Sequence, residues 1–237
     1  MDRLMLGYDY KFYSDVGVKI PIYAPIGNLI VVGGSGSGKS TSILYWIYKL
    51  KSQYCKLYIV DFKASHEFEE ITDKERFGEF EDAYDVILRF YDEFMNTPEG
   101  GEECYKILLI DEIAGLLTHY SMSKDGKAKA DKIRNIMSSI LMLGRSRKCF
   151  LWLSMQRYTA SIFPASSGSA DNFHIYVGLG RLTVDGRKGL FAGEHMEGEE
   201  NLQFGMGKGI VLIDGQNLRA LVLPKISKKK ILGLLQN

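Results

Sequence analysis

The chain has 237 residues, 46% of them apolar, which suits one large α/β domain with a substantial buried core and does not require a second. Its 30 basic and 29 acidic residues nearly cancel, so bulk charge excludes a strongly basic or acidic protein, and only a local patch can mark a polyanionic partner. Cys55, Cys104 and Cys149 lack the close pairs of a zinc site or a disulfide framework, and no apolar run approaches the roughly 20 residues of a membrane span. We therefore expect reduced thiols and a cytoplasmic protein with no leader and no membrane span of its own.

In chain order, residues 1–27 carry many Tyr and β-branched residues with Pro21 and Pro25, and read as edge strands or a hairpin. Over 28–224 short apolar runs alternate with longer amphipathic ones: strand 29–32, helix 40–50, strand 56–61, helix 79–95, strand 106–111. The segment 121–132 is small, polar and mostly basic, and reads as a mobile loop feeding an amphipathic helix over 133–143. Further strands are expected at 149–155, 173–179, 209–213 and 218–223. The last two form a C-terminal β-hairpin around Asp214-Gly215-Gln216-Asn217. Residues 225–237 read as a solvated basic tail. The βαβ rhythm predicts an α/β fold with a mainly parallel twisted sheet, flanked by helices, that gathers ligands at the carboxyl ends of its strands.

At the first βα junction stand Gly33-Gly34-Ser35-Gly36-Ser37-Gly38-Lys39-Ser40, a complete G-x-x-x-x-G-K-[ST] pattern. Its glycines let successive backbone N–H groups converge on phosphate oxygens. Lys39 would reach the terminal phosphates, the Ser40 hydroxyl would hold Mg2+, and Thr41 is a further nucleotide contact. The run Ile107-Leu108-Leu109-Ile110 then delivers Asp111 and Glu112 together. In P-loop enzymes the first acid positions the metal and the second activates water, a pairing that points to hydrolysis of ATP. The strand 149–155 ends at Gln156, whose amide can hydrogen-bond both a γ-phosphate and the attacking water. Arg145 and Arg147 lie just before that strand. They suit either helix-dipole pairing or an arginine finger inserted into a neighbouring subunit's site, with Arg181 and Arg187 weaker candidates. Lys124, Lys127, Lys129 and Lys132 could follow a DNA backbone without reading bases. His66, His119, His174 and His195 have no metal-ligand spacing.

Taken in order, these residues resemble the motor domain of the FtsK/HerA superfamily, RecA-like P-loop NTPases that pump DNA. The likeness covers the chain from about residue 20 to residue 224. It includes the GGSGSGKS cradle, Val60-Asp61-Phe62-Lys63 in place of the family's Asp-Pro-Lys stretch, LLIDEIAGLL, GRSRKCFLWLSMQRYTASIFP, and the late turn Phe204-Gly205-Met206-Gly207-Lys208-Gly209. Phe62, Met155, Tyr158 and Lys208 depart from the family's proline, threonine, proline and aspartate. The resemblance implies an ATP-dependent double-stranded DNA translocase acting as a homohexameric ring, in which one subunit's arginine completes the next subunit's site. Without the family's membrane anchor, linker or winged-helix reader, the chain resembles a compact member from a mobile element, plasmid or phage. A viral genome-packaging or conjugative coupling ATPase and a protein-secretion ATPase are the rival readings.

Overall fold

The computed structural model describes residues 3–50, 55–100, 104–164, 167–202 and 204–236. Along the chain it forms β1 (Arg3–Asp9), α1 (Tyr10–Val16), β2 (Pro21–Pro25), β3 (Leu29–Val32), α2 (Lys39–Leu50), β4 (Cys55–Asp61) and β5 (Phe77–Glu79). There follow α3 (Ala83–Asn96), β6 (Tyr105–Asp111), α4 (Ile113–Ser121), α5 (Lys124–Leu143), β7 (Cys149–Met155), β8 (Ile175–Leu179), α6 (Val184–Leu190), β9 (Lys208–Ile213), β10 (Arg219–Val222) and α7 (Lys228–Gln236). All ten strands join one sheet in the order β2-β1-β10-β9-β8-β3-β7-β6-β4-β5.

From β8 to β5 every neighbouring pair is parallel, while β9, β10, β1 and β2 add antiparallel strands on the other side. Parallel strands covered on both faces read as continuous apolar runs, and β3 and β7 are buried at every position. Strand alternation still sorts the side chains. Ile30, Val32, Val60, Leu108, Ile110, Leu151 and Leu153 pack towards α3, α4 and α5. Leu29, Val31, Ile59, Leu109 and Trp152 pack towards α2 and α7. Two buried indoles lie in the second layer with their polar edges satisfied: Trp46 Nε1 donates to Leu6 O at 2.9 Å and Trp152 Nε1 to Gly27 O at 3.0 Å.

The amino end of the sheet is bracketed by Asn28, which is fully buried. Its Oδ1 accepts from Leu151 N at 2.9 Å, its Nδ2 donates to Asn172 O at 3.0 Å, and its backbone N donates to His174 Nδ1 at 3.1 Å. Burial pushes the His174 imidazole below its ordinary value, which suits this acceptor role.

Three expectations are corrected. The helix expected from 79 begins at Ala83, because Phe77–Glu79 pairs with β4 as an extra parallel strand; a Cβ on Gly78 would lie 2.7 Å from Val86 Cγ2, so only glycine admits α3 there. Residues 124–132 are helical rather than a loop. Ser123 caps α5 by accepting from Gly126 N, and Gly126 lies so close to Tyr120 O that α4 and α5 turn in a tight pair. The C-terminal segment is not merely solvated: α7 packs on α2, Ile231 is fully buried, and Lys228 pairs with Glu67. Of the two alternatives for residues 1–27 the structure has edge strands, β1 and β2 pairing antiparallel with α1 between them in the chain. No helix among the described residues is long and apolar enough to cross a membrane.

Candidate functional site

β3 runs out into Gly33 in the middle of the sheet, and α2 starts at Lys39, so the intervening turn sits at the carboxyl ends of β7, β3 and β8. Gly33 N donates to Met155 O at 3.2 Å on one side, while a Cβ on Gly33 would meet Leu179 O at 2.6 Å on the other. Gly36 and Gly38 take positive φ angles of 74° and 95°, which side chains resist. Gly34, Ser35 and Gly36 are exposed, whereas Ser37 is buried with its Oγ lacking a hydrogen-bond partner. The late glycine turn braces the cradle from above: Gly207 N donates to Ser37 O at 2.9 Å.

Lys39 Nζ donates to Gly33 O at 2.5 Å and Gly34 O at 3.2 Å, folding back over the turn. Ser40 and Thr41 occupy the first turn of α2, which contains no acidic residue to satisfy its free N–H groups. Burial pushes the Lys39 ammonium below its ordinary value against the pull of Glu112 and Asp111, so the acid pair from β6 acts on the P-loop lysine.

Asp111 is the last residue of β6 and nearly buried. Burial raises its carboxyl above the ordinary value and Asp61, its partner on β4, adds to the rise, while the Ser154 hydroxyl on β7 and Lys63 favour the charged form. Glu112 follows in left-handed backbone, φ 57° and ψ 49°, at the head of α4. A non-glycine residue in that region is strained, and such strain concentrates at functional sites. Its Oε2 accepts from Lys63 Nζ at 2.6 Å.

Gln156 is exposed directly after β7, one residue beyond the carbonyl that receives Gly33 N. Arg145 and Arg147 lie at the opposite end of the same strand, separated from Gln156 by seven residues of β7, roughly 23 Å at strand rise. They cannot join their own chain's cradle. Arg145 is exposed; Arg147 Nη1 donates to Phe94 O at 3.3 Å and Met95 O at 3.4 Å and its guanidinium stacks 5.3 Å from the Phe94 ring. Arg187 is paired with Glu199, and Arg181 is exposed. Lys124, Lys127, Lys129 and Lys132 are exposed on α5, with Lys129 over the Tyr84 and Tyr120 rings. Helical spacing winds them around α5 rather than stringing them along a flexible segment, yet α4 and α5 still link Glu112 to β7.

Beside the P-loop a cavity of about 940 Å³ opens, lined among others by Gly180, Arg181, Leu182, Phe204 and Lys208. Gly180 approaches Ser37, and Lys208 O accepts from Gly180 N at 2.8 Å, so the cavity adjoins the cradle. The cavity and Asn28 escaped sequence reasoning, although a lone asparagine before an apolar strand is a readable sign of a bracketing amide. Glu67, held by Lys228, gave no such sign. Among the described residues no cluster of His, Cys, Asp and Glu has metal-holding geometry by itself.

A P-loop between strand and helix, faced by an acid pair from a parallel strand, defines the class as a P-loop NTPase of RecA-like α/β fold. No family model and no curated protein matches the sequence. Solved structures do match. The conjugation coupling protein TcpA of pCW3, solved with ATPγS, is 18% identical with a TM-score of 0.72, over 98% of this chain and 70% of that one. The cytoplasmic domain of the Type VII secretion ATPase EccC of Thermomonospora curvata is 16% identical with a TM-score of 0.69, over 99% of this chain and 30% of that one. VirB4 of Thermoanaerobacter pseudethanolicus is 10% identical with a TM-score of 0.57, over 96% and 98%. The chain shares its fold with these proteins.

Proposed function

We propose that the chain is an FtsK-like ATPase motor that hydrolyses ATP to move double-stranded DNA through a homohexameric ring, in the cytoplasm, for a mobile element, plasmid or phage. Residues 28–224 form its motor unit. The observation that carries the reading is topological: the phosphate-cradle turn leaves β3, and Asp111 and Glu112 leave β6, at the same carboxyl edge of one parallel sheet with only β7 between the two strands. The partnerless Ser37 hydroxyl and the open first turn of α2 are donors suited to phosphate oxygens.

In this reading N–H groups of the turn beyond Gly33, whose own N–H is bonded to Met155 O, grip the phosphates together with the Lys39 ammonium. The base and ribose enter the cavity beside Gly180. Ser40 and Asp111 are hard oxygen donors suited to Mg2+, and a cation there offsets the cost of charging a buried carboxylate beside Asp61. Bound Mg2+ supplies charge neutralisation at the β- and γ-phosphates. Glu112 accepts the proton of the attacking water, and Gln156 hydrogen-bonds that water and the γ-phosphate. Of the two arginines, the exposed Arg145 is free to enter a neighbouring subunit's site, whereas Arg147 serves its own chain. The α5 lysines contact DNA phosphates.

The likeness to a conjugation coupling protein supports DNA as the cargo, with genome packaging or conjugative coupling as the variant within the class. The likeness to EccC supports a second reading, a protein-secretion ATPase. ATP turnover measured against protein concentration, with and without linear duplex DNA, separates them. A cooperative rise stimulated by duplex and weakened by salt supports the motor. Turnover indifferent to any DNA favours secretion.

A further inference from the structure

Glu112 heads α4 in a strained backbone conformation, yet its side chain makes no capping bond to that helix. Its carboxylate turns to Lys63 instead, at 2.6 Å. The ion pair is asymmetric: the Glu112 side chain is 12% exposed and that of Lys63 41%.

Lys63 stands on a braced turn. Asp61 Oδ2 accepts from Ser65 N at 2.9 Å and from Ser65 Oγ at 2.7 Å, and Ala64 N donates to Asp61 O at 3.1 Å. Phe62, next to Lys63, stacks on Phe80 at 5.6 Å and tilts against His119 at 5.8 Å. A Cβ on Gly115 would lie 3.0 Å from the Phe62 ring and 3.2 Å from Glu112 Cγ, so the glycine leaves a slot shared by the ring and the glutamate stem. The turn fixes the lysine's origin, the slot fixes the glutamate's stem, and the charge-assisted bond fixes the carboxylate plane.

We propose that Lys63 is a positioning residue for Glu112: it holds one carboxylate oxygen, so that the other presents its lone pairs to the attacking water. This rests on the reading of Glu112 as the water-activating base. An unrestrained glutamate spreads over many rotamers, and a base works best when a third group orients it. Oε2 is spoken for by the ammonium, while Oε1 keeps its acceptor capacity.

The test compares wild type, Lys63→Met, Lys63→Arg, Glu112→Gln and the double variant Lys63→Met/Glu112→Gln in MgATP turnover and ATPγS binding. Lys63→Met should lower kcat by about tenfold or more, with KM and ATPγS affinity within about twofold. Lys63→Arg should restore most of the rate, since it keeps the cation. In the Glu112→Gln background Lys63→Met should cost nothing further, because its partner's function is already gone. Unchanged or raised kcat in Lys63→Met, a rise in KM with kcat retained, or an undiminished tenfold loss in the Glu112→Gln background each overturns the proposal while leaving the ATPase reading intact. A wild type without turnover, or full turnover in Glu112→Gln, overturns both.

Discussion

Asp61 and Asp111 stand opposite each other in register at the carboxyl ends of the parallel strands β4 and β6. Two carboxylates side by side repel, and Asp61 is nevertheless fully buried because it serves as the acceptor for the Ser65 backbone and hydroxyl. Asp61→Ala removes both bonds, which water replaces in part at the exposed Ser65, and should cost about 1 kcal/mol, read from the urea midpoint. Asp61→Asn keeps an acceptor and removes the repulsion, so its loss should be smaller. Equal losses would show that the acceptor role is not what keeps Asp61 there.

The two arginines before β7 should behave differently. Arg147→Ala removes bonds to the Phe94 and Met95 carbonyls and a stacked cation, and should destabilise the isolated chain by about 1 kcal/mol. Arg145→Ala should leave the melting temperature unchanged but suppress turnover on the order of 10³-fold at protein concentrations where wild type is fully active. Mixing it with Lys39→Ala, which retains Arg145 but lacks a working cradle, should restore part of the rate. Unrestored mixtures would remove Arg145 from the trans position.

Far from the cradle, Glu93 accepts from Lys56 at 2.8 Å and from Tyr58, and lies 3.5 Å from the buried Lys106. Burial alone would raise its carboxyl, but the bonds from Lys56 and Tyr58 and the nearby cations carry it below its ordinary 4.5. The folded chain therefore binds this proton less tightly than the unfolded one. The stabilisation is complete above pH 4.5 and is lost as the pH falls through the lower folded value. Glu93→Gln should cost about 1–3 kcal/mol at pH 7, since it removes the carboxylate that Lys56, Tyr58 and the buried Lys106 face. Thermal melts should show that gap narrowing in acid; a pH-independent gap would contradict the assignment.

Ile231 offers a test of the last helix. Ile231→Ala should destabilise the chain by about 2–4 kcal/mol in denaturant titrations, because a fully buried side chain leaves a cavity between α7 and α2. A solvated tail would show no change.

What the sequence revealed follows from where the signals are strong. Glycines at 33, 34, 36 and 38 followed by Lys39, and Asp111-Glu112 after four apolar residues, are local patterns whose chemistry needs no tertiary context. The central strands were legible because burial on both faces makes them continuously apolar. The strand Phe77–Glu79 was hidden because three residues with one glycine carry no period, and only pairing with β4 makes them a strand. The start of α5 was hidden by its lysines: their polarity reads as loop, while the Ser123 cap and the small residues Ala128 and Ala130 permit helix. In α7 three lysines at the start masked the apolar residues Ile231, Leu232 and Leu235 that dock it. The Lys63–Glu112 pair joins residues 49 apart, and nothing local announces it.

The central claim is that the cradle and the acid pair form one ATP-hydrolysing site. It is tested most directly by titrating wild type, Lys39→Ala and Glu112→Gln with ATPγS in a calorimeter and measuring their MgATP turnover. The account predicts that Glu112→Gln binds nucleotide as wild type does while its turnover falls by about 10² or more, and that Lys39→Ala loses affinity itself. Wild-type turnover in both variants, or no heat of nucleotide binding in the wild type, would contradict it.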